Sequence, residues 1–170
     1  SATLAVSEKL DYYRSRVGMS ESLDMILDSP FDFKNQMKVF AAQTLPSPKE
    51  NDYEKEAVTW LRYFIHMSTG GAFVLFTSFS QMKRIADAVR PFMNEMGLKL
   101  LVQGEAASSA LLLQAFKEDN NSVLFGTDTF WTGVDVPGES LRNVIIMRIP
   151  FAVPDHPLIA ARCEHLEKTG

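Results

Sequence analysis

Short, continuously apolar segments alternate along this chain with longer segments whose apolar residues recur every three or four positions. The short segments are rich in Val, Ile, Leu and Phe, which is typical of strands in a parallel sheet that is covered on both faces. The longer segments have the period of amphipathic helices. This alternation predicts an α/β fold with a parallel sheet of five or more strands and helices on both faces. The predicted strands are Lys38–Gln43, Phe73–Phe79, Lys99–Gln103, Val123–Gly126 and Asn143–Ile149.

The helical periodicity predicts five helices, which alternate with most of these strands. We expect Asn51 and Glu54 to form a capping box and Ser80 to cap a later helix. Gly18 is expected to end the first helix, and Pro91 to kink or end the third. The predicted helices are Ser7–Val17, Asn51–Met67, Gln81–Met96, Ser109–Glu118 and His156–Lys168.

The segment 122–135 carries the most specific signal in the sequence. A buried strand ends at Gly126, and Thr127, Asp128 and Thr129 follow at once. In open α/β sheets, ligands bind just outside the carboxyl ends of the strands. Hydroxyls and backbone amides at such a place suit phosphate oxygens, which position a nucleic-acid strand without reading its sequence. The alternative is that these hydroxyls only cap the next helix or loop.

Several segments, spread in order along the chain, resemble the DinG/XPD family of superfamily 2 helicases. Segment 122–135 resembles motif V, and segment 71–79 resembles motif IV. Ser1, Ala2 and Thr3 resemble motif III, which couples the two motor domains. Segments 27–31 and 148–157 resemble the DinG relatives of Gram-positive bacteria.

This resemblance implies a RecA-like domain of the P-loop NTPase type, the second motor domain of an ATP-dependent DNA helicase or translocase. By analogy with motif V, Gly133 and Asp135 face the nucleotide or the first motor domain. The alternative for Asp135 is a turn residue that binds local backbone amides. Two departures from the family are Thr132, where relatives often carry an acidic residue, and the apolar helix 109–118, where relatives often carry Arg and Lys.

The chain has neither a Gly-x-x-x-x-Gly-Lys-[Ser/Thr] phosphate loop nor an Asp-Glu-x-His magnesium box, which lie upstream in the family. Motif VI, which follows downstream in the family, is also missing. We therefore expect residues 1–170 to be most of helicase domain 2, a monomeric fragment without ATPase activity of its own. ATP and Mg²⁺ would bind mainly to the first RecA-like domain of the same chain, and an iron–sulfur cluster is left open because its cysteines would lie there too.

The resemblance also implies a track for single-stranded DNA. Phe130 and Trp131 could stack on bases, although core packing is the commoner role of such a pair. Ser78 could equally cap a helix, whose amino terminus is itself an anion site. The residues predicted to contact nucleic acid are Thr77, Ser78, Gln103, Gly104, Gly126, Thr127, Asp128 and Thr129.

Composition limits the partners of the chain. The net charge is −4, and the densest basic cluster is modest, so we expect the domain alone to bind DNA weakly. The single Cys163 suits a reducing cytoplasm, and no apolar run is long enough for a membrane span. The spacing of His156, Cys163 and His165 suits no zinc pattern, so we expect no metal site. The basic cluster consists of Lys83, Arg84, Arg90 and Lys99.

Two other functions remain open. The parent protein could be an ATP-gated DNA-binding module fused to a 3′–5′ exonuclease, without true unwinding activity. It could also be a degenerate scaffold that has lost its motor function. The upstream sequence would separate the helicase motor from the exonuclease fusion, because a phosphate loop indicates a motor and acidic exonuclease motifs indicate the fusion.

Overall fold

A computed structural model describes residues 4–19, 21–105, 107–151 and 157–169. The chain divides into two compact units, Ser1–Gln43 and Thr44–Gly170. The first unit contains the helices α1 (Asp11–Val17) and α2 (Phe33–Gln36). The second contains the helices α3 (Tyr53–Ser68), α4 (Phe79–Glu95), α5 (Ser109–Glu118) and α6 (Pro157–Thr169) and the strands β1 (Ala72–Leu75), β2 (Lys99–Val102), β3 (Ser122–Gly126) and β4 (Asn143–Ile146).

The four strands form one parallel sheet in the order β2-β3-β1-β4. In β1, Val74 pairs with Phe125 of β3 on one side and with Ile145 of β4 on the other. β1 and β3 are buried along their whole length, as expected of central strands. The α/β class and the parallel sheet predicted from the sequence are confirmed, and the described residues contain four of the five strands expected.

Apolar residues alternate between the two faces of the sheet. One face packs against α3 and α4, where Leu61 and Ile85 are almost fully buried. The other face packs against α5 through Leu112 and Phe116, and against the loop that follows β3. This loop carries Val134, Val136 and Leu141 against the same cluster. The core therefore fixes the loops at both ends of the sheet.

Arg142 holds the edge of the sheet at which the strands begin, which we call the amino edge. Its Nη1 donates to the Glu139 carbonyl at 2.8 Å, and its Nη2 donates to the carbonyls of Ser68 at 3.1 Å and Asn120 at 3.0 Å. The Ser68 carbonyl is at the end of α3, where a helix leaves carbonyls without an intrahelical partner, and the Asn120 carbonyl lies in the loop after α5. One guanidinium thus joins both layers of helices.

The predicted strand Lys38–Gln43 is wrong. The segment has no regular structure, and Val39 is 79% exposed. An apolar run becomes a strand only when a neighbouring strand accepts its hydrogen bonds, and no ladder in the described residues includes this segment. The sequence pattern indicates an apolar run, but it does not indicate whether a neighbouring strand is present to pair with it.

Two predictions about helix ends in the first unit had different outcomes. Gly18 ends α1 with φ of +70°, as expected. However, α1 begins at Asp11 rather than Ser7, because Val6 and Lys9 exchange two backbone hydrogen bonds around a tight turn. Ser7 in that turn has a positive φ, which cannot continue a right-handed helix.

Three predictions about helix ends in the second unit are also corrected. α3 is preceded by Asp52 without a side-chain cap, so the box of Asn51 and Glu54 does not form. α4 is capped by Ser78 rather than Ser80. Pro91 does not end α4, which continues to Glu95, because buried residues on both sides of the proline hold the helix against the sheet.

Candidate nucleic-acid and nucleotide interface

The parallel sheet brings the predicted nucleic-acid contacts to one place. β1 leads into residues 77–78, β2 into residues 103–104, and β3 into residues 126–129. These three strands are neighbours in the sheet, so their carboxyl ends lie side by side. We call this the carboxyl edge.

Gln103 links the loops that follow β2 and β3. Its side-chain oxygen accepts hydrogen bonds from the backbone N–H of Thr127 at 2.7 Å and from the Thr127 hydroxyl at 2.9 Å. Its side-chain nitrogen donates to the Thr129 hydroxyl at 3.0 Å. Thr127 is buried, whereas Thr129 is exposed and keeps its own hydroxyl proton for another acceptor. Gln103 and Thr127 therefore shape the edge, and Thr129 presents a donor from it.

Gly126 allows the chain after β3 to fold tightly. A Cβ atom at this position would lie 2.6 Å from Cδ2 of Phe130, which is too close for any side chain. Phe130 is only 4% exposed and makes an edge contact with Phe73, so the core interpretation of this aromatic residue is correct. Asp128, at the start of the short 3₁₀ turn Asp128–Phe130, is exposed.

Trp131 is half-buried rather than free for stacking. Its indole N–H donates to the Phe76 carbonyl at 3.0 Å, just after β1. This hydrogen bond joins the loop after β3 to the end of the neighbouring strand.

The amino terminus of α4 forms the next part of the carboxyl edge. Ser78 Oγ accepts the backbone N–H of Gln81, and Thr77 and Ser78 are both half-buried. The aromatic ring of Phe79 lies against Gly104, where a Cβ atom would be 2.4 Å from Cζ of the ring. Gly104 also has φ of +80°, so both the space and the backbone conformation require glycine there.

Asp135 stands on the loop that continues from β3. It is exposed, whereas Val134 and Val136 on either side pack against the core. Among the residues that the structure describes, the Asp135 carboxylate has no hydrogen-bond or ion-pair partner. Gly133 has φ of +73° and open space around it, so its requirement is conformational.

Asp119 shows the contrasting geometry. Its Oδ1 accepts the backbone N–H of Asn121 at 2.9 Å, which is the usual arrangement of an aspartate that closes a turn. Asp135 makes no such contact within the described residues, so the turn interpretation has no support from its geometry.

The basic cluster predicted from sequence is largely paired or dispersed. Arg84 binds Glu54 on α3, and this hydrogen bond lowers the pKa of the Glu54 carboxyl. Arg90 binds Glu105, and Lys99 lies at the opposite edge of the sheet, at the start of β2. Lys83 remains near the carboxyl edge, where its ammonium lies 5.0 Å from the centroid of the Phe79 ring.

Several predicted residues lie outside the described part of the chain. They are Ser1, Ala2 and Thr3 of the motif III segment and His156. Within residues 4–19, 21–105, 107–151 and 157–169, no group of three His, Cys, Asp or Glu side chains could hold a metal ion. No helix in that part is both long enough and apolar enough to cross a membrane.

Two features of this edge were not found by reasoning from the sequence. The sequence places Phe79 at the end of the predicted strand Phe73–Phe79, whereas it is the first residue of α4, directly after the N-cap Ser78. The hydrogen bonds of Gln103 to Thr127 depend on the pairing of β2 with β3, which no local pattern specifies.

The chain matches a family model and several characterised proteins. The model of the helicase C-terminal domain matches residues 61–170. Over 170 residues the chain is 37% identical to the ATP-dependent DNA helicase YoaA of Escherichia coli, covering all of this chain and 26% of that protein. It is 34% identical to the 3′-5′ exonuclease DinG of Bacillus subtilis, covering all of this chain and 19% of the relative. It is 32% identical to the ATP-dependent helicase DinG of Mycobacterium tuberculosis, covering 95% of this chain and 24% of the relative.

These relatives are all much longer than the chain, which spans about a quarter or less of each. The family model covers α4, α5, the whole sheet and the carboxyl edge. The fold is accordingly RecA-like, and the chain belongs to the helicase C-terminal domain family, among the domains of the DinG type.

Proposed function

We propose that this chain is most of the second motor domain of an ATP-dependent DNA helicase or translocase. The carboxyl edge contributes half of an ATP site that a first RecA-like domain completes, and part of a track for single-stranded DNA. ATP hydrolysis opens and closes the cleft between the two domains and moves the DNA across both. The two relatives named as ATP-dependent helicases support this proposal.

The observation that carries the nucleotide role is the exposed Asp135 carboxylate. Val134 and Val136 are partly buried against the core on either side, and the Asp135 carboxylate between them has no partner among the described residues. A carboxylate in this state can accept hydrogen bonds from a ribose hydroxyl or from a cationic side chain of the first domain. Gly133 gives the loop the left-handed turn that presents Asp135.

The described residues could hold only part of an ATP–Mg²⁺ complex, as expected of half a site. The described residues supply a carboxylate and a glycine turn, but the chain contains no lysine in a phosphate loop. We therefore assign the phosphates and the Mg²⁺ ligands to the first domain, where the metal would neutralise charge that develops during phosphoryl transfer. The role of this chain is to position the nucleotide from the opposite side.

The DNA track uses the loops after β1, β2 and β3. Thr129 presents a hydroxyl donor, and the first amides of α4 lack intrahelical acceptors and can bind a phosphate. Gln103 and Thr127 hold this arrangement through their mutual hydrogen bonds. Thr77, Ser78, Gly104, Gly126 and Asp128 complete the proposed edge.

The test is Asp135→Asn in the full-length protein that carries this chain. The substitution keeps the size of the side chain and removes its charge. Loss of a charge-assisted hydrogen bond costs about 1.5–3 kcal/mol, so we expect ATP turnover to fall about ten-fold or more if the contact forms in the closed, hydrolysing state. Steady-state ATPase assays with and without single-stranded DNA measure this change.

Asp119→Asn is the matched control, because it makes the same chemical change at an aspartate that closes a turn at the amino edge. We expect it to leave ATP turnover unchanged. If Asp135→Asn also turns over ATP at the wild-type rate, the nucleotide role of this loop is wrong.

One relative supports a second candidate function. The 34% identical protein of Bacillus subtilis is named a 3′-5′ exonuclease. In such a protein this domain would gate DNA binding by ATP without unwinding the duplex. A strand-displacement assay on the full-length protein separates the two functions: unwinding that requires ATP supports the motor, whereas ATP-dependent DNA binding without unwinding supports the gated module.

A further inference from the structure

Among the described residues that directly follow β1, β2 and β3, Phe79 is an exposed aromatic ring outside the predicted DNA contacts. Phe79, the first residue of α4, is 42% exposed, whereas Phe130 is buried and Trp131 is half-buried with its N–H bound to Phe76. An apolar ring that stays in water at this position gains no stability from its exposed surface. Its place beside residues 77–78 and 103–104, rather than its exposure alone, makes it a candidate contact for a ligand at this edge.

Two neighbours hold the Phe79 ring in place. The tip of the ring lies against Gly104, so any side chain at that position would collide with it. The Lys83 ammonium, one turn further along α4, lies 5.0 Å from the ring centroid, within range of a cation–π contact. The ring is thus preorganised by the loop after β2 and by its own helix.

We propose that Phe79 is a stacking platform for one base of single-stranded DNA and that Lys83 contacts a neighbouring phosphate. This inference rests on the proposed DNA track and adds to it the residue that holds a base. Stacking on aromatic side chains tolerates every base sequence, which a translocating motor requires. A base on Phe79 would lie beside residues 77–78 and 103–104, which the track already includes.

The chemistry of the two residues predicts different signatures. Loss of the ring weakens binding only to DNA that carries bases, because an abasic backbone has nothing to stack. Loss of the lysine weakens binding to both kinds of strand and lowers the dependence of binding on salt by about one counterion.

The experiment compares the full-length protein with its Phe79→Leu, Lys83→Ala and Tyr63→Leu variants. Fluorescence anisotropy measures their binding to an oligothymidine and to an abasic oligonucleotide of equal length. We expect Phe79→Leu to weaken binding to oligothymidine by about five-fold or more and to leave binding to the abasic strand unchanged. Tyr63→Leu, a matched change at a 54% exposed aromatic residue on α3, should change neither.

The outcomes distinguish failure of the DNA track from failure of the stacking role of Phe79. If the wild-type protein binds neither oligonucleotide, the DNA track itself is wrong and the platform falls with it. If the wild-type protein binds, but Phe79→Leu binds both strands like wild type or loses affinity equally for both, the track stands and the stacking role of Phe79 is refuted. A thermal melt of each variant shows whether an equal loss of affinity comes from unfolding. In that case, Lys83→Ala, which keeps the Phe79 ring, is added to an oligonucleotide that contains 2-aminopurine. Quenching of the fluorescence supports a base stacked on the ring, and no quenching refutes it.

Discussion

Replacement of Gln103 by Leu tests how the carboxyl edge is held together. The change removes three hydrogen bonds, two to Thr127 and one to Thr129. A net hydrogen bond contributes about 1 kcal/mol, and a buried donor left without a partner costs about 1–3 kcal/mol. Because Gln103 is half-buried, water can satisfy part of what Thr127 loses. We expect a loss of about 2–3 kcal/mol in the free energy of unfolding, or roughly 6–12 °C in Tm for a domain of this size.

Gln103→Glu separates stability from DNA binding. Glutamate keeps the oxygen that accepts from Thr127, and the Thr129 hydroxyl can rotate to donate to its second oxygen. We expect this variant to lose less than half of the stability lost by Gln103→Leu. Its new negative charge lies at the proposed DNA track, so it should weaken binding of single-stranded DNA, most strongly at low salt.

Chemical denaturation and differential scanning calorimetry measure the stability of these variants. A double-mutant cycle with Thr127→Val isolates the Gln103–Thr127 bond, for which we expect a coupling energy of about 1 kcal/mol. Gln114→Leu is the control, because that glutamine makes one exposed hydrogen bond, to Glu118 within α5. Gln103 does not organise the edge if Gln103→Leu is as stable as this control. The same conclusion follows if the losses of stability in Gln103→Leu and Thr127→Val simply add in the double mutant.

Two further predictions concern packing and charge. Gly126→Ala should lower the free energy of unfolding by about 1–3 kcal/mol, because the added Cβ would lie 2.6 Å from Phe130 Cδ2. An unchanged midpoint of urea unfolding would show that Phe130 moves freely. Glu54→Gln should lower Tm slightly at neutral pH, since its hydrogen bond to Arg84 lowers the pKa of the Glu54 carboxyl and so stabilises the fold above the ordinary Glu pKa. The difference from wild type should shrink as the pH falls below about 4 and at high salt, and a difference that persists in acid would contradict the ionic origin.

The sequence predicts the buried elements of this fold better than their ends. β1 to β4 all begin within one residue of their predicted starts, because each contains a continuous apolar run, and the runs of β1 and β3 are fully buried. The errors arise where a tertiary contact replaces a local one. Glu54 binds Arg84 instead of capping α3, and the apolar run Lys38–Gln43 lacks a strand partner in the described residues.

The sequence predicts which of the candidate residues follow strands, but not which role each side chain has. The order of the motifs places residues 77–78, 103–104 and 126–129 at strand ends, and the parallel sheet then brings them to one edge. Which hydroxyl is buried and which is exposed depends on the Gln103 side chain from the neighbouring loop. The position of the Phe79 ring likewise depends on a glycine that is distant in sequence, Gly104.

The two edges of the sheet differ in what their polar groups do. At the amino edge, the Arg142 guanidinium binds four backbone carbonyls, so its hydrogen-bonding capacity is used within the domain. At the carboxyl edge, Gln103 and Trp131 also bind internally, but Thr129 and the Phe79 ring remain exposed, as does Asp135 further along the loop that follows β3. Buried polar groups in a folded domain are normally satisfied, so internal bonds at an edge indicate structure, whereas groups that a fixed scaffold leaves open indicate a ligand. On this argument, substitutions at Arg142 change stability alone, whereas those at Asp135 and Phe79 change binding and turnover with little effect on the fold.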